Sequence, residues 1–188
     1  MARLSGILDP ETFEPDPELS LAKVEKALVA LRDVKEGTIV IDSGTDIWDW
    51  MQDWMEKTAT KRTKTGGVYR FEWARVKQRW RQLVLRLMAK PLHFIITAQP
   101  QEIFDAEGRA TGTFRPRIQR ATPHIADLVI HIEKVFEKGR TKPRHIATLE
   151  KCRFQRAYNA KIEDITFDKL CKKLKEDLGV TIKGVHVE

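Results

Sequence analysis

Two short apolar runs, each followed by a polar side chain, constrain the fold of this chain more than any other feature. The first is Thr38–Ile41, which precedes Asp42 and Ser43, and the second is Leu92–Ala98, which precedes Gln99. An apolar run of this length between polar segments is typical of a strand that is buried on both faces of a parallel sheet. The sequence therefore predicts two central strands with an acid and an amide at their carboxyl ends.

Amphipathic helices are predicted before, between and after these strands. Two further strands, at 127–133 and 144–154, are separated by a turn and predict a hairpin. This order predicts an α/β sandwich around a mostly parallel sheet, in which ligands bind at the carboxyl ends of the strands. Apolar residues recur at the three- and four-residue steps of one helix face over 20–32, 45–57, 69–90 and 165–178.

The composition excludes several classes of protein. No stretch approaches the ~18 consecutive apolar residues of a membrane span. The N-terminal residues also lack the apolar core of a secretory signal. The two cysteines, Cys152 and Cys171, have no metal-ligand spacing around them, which favours a reducing compartment. An integral membrane protein and a secreted protein are therefore excluded, and the cytoplasm is the expected location.

Cations are concentrated in two segments of a chain whose net charge is +7. Ten Lys and Arg with a single acid lie between Lys61 and Lys90, and four Arg with no acid lie between Arg109 and Arg120. Such clusters can neutralise the phosphates of a nucleic acid, or they can be a solvated helix face and a basic loop. The candidate nucleic-acid-binding residues are Lys61, Arg62, Lys64, Arg109, Arg115, Arg117 and Arg120.

The polar residues at the strand ends have a chemistry that suits a nucleotide. Asp42 could hold a hydrated Mg²⁺ ion, with Ser43 adding a hydroxyl contact, and Gln99 could orient a water molecule or sense a γ-phosphate. The alternatives are that Asp42 caps the following helix and that Gln99 bonds a loop backbone. Lys151 and Arg153 alternate along a strand and face the same way, so together they could reach a phosphate or simply form an exposed charged face.

Three segments, in this order, resemble the RecA-like branch of the P-loop ATPases, and in particular the small phage nucleotide-binding proteins of single-strand annealing and recombination. Residues 39–43 are similar to the Walker B strand of that family. Residues 94–99 are similar to the strand that ends in its sensor glutamine, and 123–133 to the stretch that follows its mobile DNA-binding loop. The order of the three segments carries more weight than any one of them.

The resemblance implies a RecA-like three-layer sandwich with a C-terminal β-hairpin. Its ATPase core would span 20–160, between an irregular segment at 1–19 and a C-terminal helix and tail at 161–188. It implies DNA-binding loops at 58–68 and 100–122. It also implies ATP and Mg²⁺ as cofactors, single-stranded DNA as a partner, and a homo-oligomer.

The same resemblance implies a role for each residue at the strand ends. Asp42 and Gln99 would be catalytic, with Asp42 on the metal. Ser43, Lys151 and Arg153 would bind the nucleotide, the last two across a subunit boundary.

One motif of the family is absent. The sequence contains no G-x-x-x-x-G-K-[ST] and no Gly-Lys pair, so the phosphate-loop strand is missing and ATP hydrolysis by this chain alone stays open. The chain would then be the C-terminal part of a longer protein or a degenerate relative. Two alternatives stay open as well: a non-catalytic nucleic-acid-binding or assembly module, and a Mg²⁺ enzyme such as a nuclease that uses Asp42 and Asp46.

Overall fold

Three helices form the core of the first of the two units into which the chain divides, Met1–Gln119 and Arg120–Glu188. They are α1 (Pro17–Ala30), α2 (Gly44–Thr58) and α3 (Arg70–Met88). The computed structural model describes residues 7–8, 15–136, 139, 141–155 and 159–182. The rings of Trp48 and Trp80 meet edge to face between α2 and α3, with centroids 5.7 Å apart and an interplanar angle of 79°, a favourable geometry for an aromatic pair.

The helix α1 begins earlier than the sequence predicts. Asp16 is its N-cap, because its Oδ1 accepts a hydrogen bond from the backbone N of Leu19 at 2.9 Å, and a proline follows at the first helical position, where its missing N–H has no cost. Ser20, the predicted cap, is buried inside the helix. The strands β1 (Ile7–Leu8) and β2 (Pro15–Asp16) pair in antiparallel fashion. Within the segment 1–19 that the sequence predicts to be irregular, the structure has strands at 7–8 and 15–16 and the start of α1 at 17–19, and residues 1–6 and 9–14 lie outside the described part.

The two apolar runs form a parallel pair. The strands β3 (Thr38–Ile41) and β4 (His93–Ile96) are in register along their whole length, with Ile41 opposite Ile96. The prediction that both faces are buried is wrong, because Val40 and Ile95, which lie opposite each other, have exposed fractions of 48% and 40%. In a strand, alternate residues point to opposite faces, so one face of this pair is only partly covered.

The segment 99–122, which has no clear sequence pattern, is ordered. It forms the strands β5 (Pro100–Phe104) and β6 (Ala110–Pro116), which pair as an antiparallel hairpin, and then the short helix α4 (Thr122–Ile125). The segment 100–122, where the resemblance implies the second DNA-binding loop, therefore consists largely of paired strands. Most residues of this hairpin are exposed, so neither face imposes the apolar alternation by which strands are recognised in a sequence.

The second unit is a three-stranded antiparallel sheet with a helix packed against it. Its elements are β7 (Leu128–Val135), β8 (Arg144–Cys152), β9 (Lys161–Glu163) and α5 (Phe167–Leu178). The predicted hairpin of β7 and β8 is confirmed. The core of this unit joins Leu149 of β8 to Ile162 of β9 and to Leu170 and Leu174 of α5.

The predicted mixed α/β class is confirmed. Among the described strands, β3–β4 is the one parallel pairing, and the other three sheets are antiparallel. These strands do not form the predicted mostly parallel sheet, because antiparallel neighbours need only a short turn whereas each parallel neighbour needs a crossover. None of the described helices has the length and apolar composition that a membrane span requires. The boundaries at 19/20 and 160/161 stay predictions.

Candidate functional site

Asp42 and Gln99 follow the ends of two neighbouring strands. The parallel register continues past β3 and β4, since the backbone N of Thr97 donates to the Ile41 carbonyl at 3.0 Å. Asp42 Oδ1 accepts a hydrogen bond from Thr97 Oγ1 at 2.5 Å, and the side chains of both Asp42 and Gln99 are exposed. The predicted adjacency of the two strands is confirmed. The catalytic roles of the two residues stay predictions.

Ser43, not Asp42, caps the helix α2. Its Oγ accepts from the backbone N of Asp46 at 3.4 Å and donates to Asp46 Oδ2 at 2.7 Å. The first bond satisfies a backbone N–H of the first helical turn, and the second holds the two side chains together. The Ser43 hydroxyl therefore has a structural role, and its contact with a nucleotide stays a prediction. The Asp42 carboxylate is left out of the cap, which removes the alternative that it serves only to start the helix.

The beginning of α2 is held directly against the end of β4. The backbone N of Gly44 donates to the Thr97 carbonyl at 2.8 Å, and a Cβ added at Gly44 would overlap the side chain of Ile96 and lie 2.9 Å from Cδ1 of Ile118. Thr45, which is fully buried, accepts a hydrogen bond from the backbone N of Gln99 at 2.9 Å. Sequence reasoning missed this contact, although the small residues after Ser43 are its signal.

Gln99 also connects to the base of the β5–β6 hairpin. Its carbonyl accepts from the backbone N of Arg117 at 2.8 Å. The Arg117 side chain then reaches α2, where Nη2 lies 2.6 Å from Asp49 Oδ2. Burial raises the pKa of Asp49 above 3.8 and outweighs the opposite effect of the Arg117 guanidinium, while Asp53 and Asp46 raise it further. Arg117, a predicted nucleic-acid ligand, thus ties the hairpin to α2.

The remaining arginines of the second cationic segment differ in their pairing. Arg109 Nε lies 2.9 Å from Asp105 Oδ2, and its Nη2 lies 3.1 Å from Glu107 Oε2. Hydrogen bonds from Arg109, the backbone N–H first, hold the pKa of Asp105 below 3.8. Arg115 makes one long hydrogen bond, 3.5 Å from Nη2 to Gln101 Oε1, and Arg120 is exposed.

The basic connection, defined as residues 59–69 between α2 and α3, holds the first predicted DNA-binding loop. Arg62 donates to two backbone carbonyls, from Nη2 to Glu56 at 2.7 Å and from Nη1 to Gly66 at 3.2 Å. Lys61 and Lys64 are exposed, and neither pairs with a carboxylate in the described part of the chain. Arg62 therefore stabilises the conformation of the turn through backbone contacts, and the positive charges of Lys61 and Lys64 face the solvent.

Lys151 and Arg153 are engaged within the second unit. Lys151 Nζ donates to the carbonyls of Pro123, His124 and Ala126 at 3.0, 2.8 and 2.7 Å, which closes the end of α4. Arg153 Nη1 lies 2.6 Å from Asp127 Oδ1. These contacts were not predicted from the sequence, because they depend on where α4 ends. Binding of a neighbour's nucleotide by these two residues stays a prediction.

Comparison with models of known protein families identifies the family of this chain. The model of the AAA domain family matches residues 9–170, which is most of the sequence and includes parts of both units. The chain belongs to the AAA domain family. An AAA domain is a nucleotide-binding module of the ATPase type that generally depends on Mg²⁺. No curated protein matches the sequence.

The strand ends of this AAA domain fit Mg²⁺ as a hydrated ion. In proteins this ion commonly binds through one or two carboxylates together with waters and substrate phosphates. Asp42 offers one exposed carboxylate oxygen, Oδ2, that has no hydrogen-bond partner among the described residues. The described residues contain no group of three or more His, Cys, Asp and Glu side chains that could form an all-protein cage. The alternative of a nuclease that uses Asp42 and Asp46 gains no support here, because Asp46 bonds Ser43.

Proposed function

We propose that this AAA domain is a RecA-like ATPase core that binds single-stranded DNA as an oligomer, in phage-type recombination or replication. The observation that carries the proposal is the junction of β3, β4 and α2. There Asp42 keeps a carboxylate oxygen free beside Thr97, and Gln99 leads into the β5–β6 hairpin. The three-layer sandwich of the RecA-like proteins is part of the same proposal.

Asp42 would hold Mg²⁺ through water or directly, and Thr97 Oγ1 fixes the orientation of its carboxylate. When bound, Mg²⁺ supplies charge neutralisation on the phosphates of ATP. The amide side chain of Gln99 is exposed and has no hydrogen-bond partner in the described part of the chain, while its backbone is held on both sides by Thr45 and Arg117. A contact between this amide and a phosphate could therefore be transmitted to the β5–β6 hairpin, because the Gln99 backbone is hydrogen-bonded to Arg117 at the end of β6.

The metal site is tested with Mn²⁺ as a paramagnetic probe in NMR spectra of the full chain with ATP present. We expect the amide signals of Asp42, Thr97 and Gln99 to broaden, and the broadening to disappear in Asp42→Asn. Asp33→Asn is the matched control, because Asp33 is exposed, precedes β3 and, among the described residues, pairs with Arg32 alone. Broadening that persists in Asp42→Asn would place the metal elsewhere.

DNA binding is tested by the fluorescence anisotropy of a labelled single strand. For single strands the logarithm of the binding constant falls with the logarithm of salt concentration, with a slope of about −0.7 for each phosphate contact. We expect binding at about 50 mM salt that weakens steeply toward about 200 mM salt. If the chain fails to bind at the lower salt concentration, single-strand binding is refuted.

The second candidate is a non-catalytic nucleic-acid-binding or assembly module on the same scaffold. It is favoured by the absence of a Gly-Lys pair from the sequence and by the engagement of Lys151 with three backbone carbonyls. ATP turnover, measured with and without single-stranded DNA, separates the two candidates. Turnover that DNA stimulates and that Asp42→Asn abolishes supports the ATPase, and DNA binding without turnover supports the module.

A further inference from the structure

Two aromatic side chains lie exposed at the end of the basic connection. Tyr69 directly precedes α3, and Phe71 is the second residue of that helix. Their rings are stacked, with centroids 5.9 Å apart and an interplanar angle of 22°. The exposed fractions of the two residues are 42% and 48%. Two large neighbouring rings form an apolar patch, and such patches on a surface commonly mark a binding site.

The structure of the unit does not need these rings. The helix α3 buries another face, which includes Val76, Trp80 and Val84. Tyr69 occupies the N-cap position but makes no capping hydrogen bond through its side chain, and Ser, Thr, Asp and Asn are the residues that stabilise that position. Neither core packing nor helix capping therefore accounts for the pair.

The sequence around the pair is positively charged. Between Glu56 and Glu72 it holds five cations and no acid. The next acid, Glu72, is buried, and its Oε2 lies 2.9 Å from Arg75 Nη1, so its charge is partly compensated. A polyanion is therefore the partner that this patch favours, because an acidic group next to the rings would gain attraction from every nearby cation. The five cations are Lys57, Lys61, Arg62, Lys64 and Arg70.

The connection that carries these charges is preorganised. Besides the bonds of Arg62, the backbone N of Thr63 donates to the Gly67 carbonyl at 2.8 Å. Gly66 adopts a φ of +82°, a conformation that glycine reaches without strain. A segment that is already ordered loses less entropy when it binds a ligand.

We propose that Tyr69 and Phe71 form a stacking platform for the unpaired bases of a single-stranded nucleic acid, while Lys61 and Lys64 neutralise its phosphates. Flat rings beside cations are the combination that single-strand-binding proteins use, since every base offers a π-face. Bases inside a duplex hide these faces, so the platform would make the site selective for single strands. The assignment depends on the proposed single-strand binding and adds the contact that reads the unpaired base.

The experiment compares two labelled strands of equal length by fluorescence anisotropy: oligothymidylate and an abasic deoxyribose-phosphate strand. The full chain is tested as wild type, as Tyr69→Ala/Phe71→Ala and as Tyr69→Phe. Phe136→Ala is the control for loss of an exposed ring, because Phe136 is 75% exposed and lies outside the basic connection. Thermal unfolding of each variant shows that it is folded.

We expect the double variant to bind oligothymidylate about 5- to 150-fold more weakly, which is the range for the loss of one stacked base. Its binding to the abasic strand and the salt dependence of both complexes should not change. Tyr69→Phe should retain the binding, because the ring is kept, and Phe136→Ala should have no effect.

Four results would overturn the platform. Equal weakening on both strands would mean that the rings only support the fold of the connection. Unchanged binding to oligothymidylate would mean that the rings do not touch the strand. A change of oligomeric state in sedimentation, without a change in DNA binding, would mean that the rings bind protein. If the wild type binds neither strand, the proposed function itself fails, whereas equal binding of the wild type to both strands refutes the platform alone.

Discussion

The basic connection and the β5–β6 hairpin have similar cationic sequences but use their cations differently. In the hairpin segment, Arg109 pairs with two carboxylates and Arg117 pairs with Asp49. In the basic connection, Arg62 bonds backbone carbonyls. Lys61 and Lys64 have no carboxylate partner in the described part of the chain. The two segments therefore present different net charges to a ligand, although a count of Lys and Arg treats them alike.

The difference shows why a charge count along the chain overestimates the hairpin. The second cationic segment contains no acid between residues 109 and 120, but folding places acids of the hairpin turn next to Arg109 and an acid of α2 next to Arg117. A paired guanidinium attracts a phosphate less strongly because the carboxylate repels the same phosphate. We therefore expect the basic connection to supply most of the electrostatic attraction for DNA.

The largest effect is expected for Lys61→Ala/Lys64→Ala. Loss of two phosphate contacts should reduce the slope of log affinity against log salt concentration by about 1.4 and weaken binding about tenfold or more at low salt. Lys26→Ala/Lys142→Ala removes the same charge from exposed lysines elsewhere and should change binding little. Equal effects of the two double variants would show that only the net charge matters.

The ion pair at the base of the β5–β6 hairpin and the ion pairs in its turn should contribute differently to the stability of the protein. Arg117→Met leaves the half-buried carboxylate of Asp49 without its partner, which should lower the free energy of unfolding by about 1–2 kcal/mol. Arg109→Met removes two ion pairs of an exposed arginine, and such pairs commonly contribute nothing measurable. Urea unfolding of both variants tests the contrast. A double-mutant cycle with Asp49→Asn then isolates the energy of the Arg117 pair, and equal stability losses in the two methionine variants would contradict the bridging role.

A smaller effect on DNA affinity is expected when the acid Asp105 in the hairpin turn is neutralised. Asp105→Asn should increase affinity for a single strand by about two- to threefold at low salt, because it removes one repulsive charge and one of the two carboxylates that pair with Arg109. Glu36→Asn removes an exposed acid that lies before β3 and serves as the control. If Asp105→Asn leaves the affinity unchanged, the hairpin turn does not approach the DNA.

The smallest effect is the pH dependence of stability, which has opposite signs for Asp49, next to the base of the hairpin, and for Asp105 in its turn. The folded-state pKa of Asp49 is raised, so its contribution to stability is complete below about pH 3.8 and is lost as pH rises through the folded pKa. The folded-state pKa of Asp105 is lowered, so its contribution is present above about pH 3.8 and is lost as pH falls through the folded pKa. Carbon-13 NMR titration of the two carboxyl groups should find Asp49 titrating at the higher pH, and the reverse order would contradict both environments.

The regular elements with an apolar face were predictable from the sequence. The runs that form β3 and β4 and the three- and four-residue spacing of α3 each reflect burial, and burial leaves a periodic pattern. The hairpin was missed because its strands are exposed on most positions and contain prolines at residues 100 and 116. The short elements α4 and β9 have too few residues to show any period.

The only part of the candidate site that could be predicted from the sequence is the set of residues that follow the strand ends. That Asp42 and Gln99 follow neighbouring strands is a consequence of two parallel strands, which the sequence indicates. The partners of Lys151 and Arg117 depend on contacts between residues that are distant along the chain, and no local pattern encodes them. Ser43 could have been recognised as the cap, since an acid three residues later completes a capping motif.

Because Gly44 has no side chain, the backbone at the start of α2 can lie directly against the backbone at the end of β4. A saturation library over residues 42–45 would therefore separate two kinds of constraint. Position 44 would tolerate glycine alone among proteins that fold, because even alanine would overlap Ile96. Position 42, which is exposed, would accept many residues in proteins that fold, so any narrower selection found there would report the demands of the chemistry and not those of the architecture.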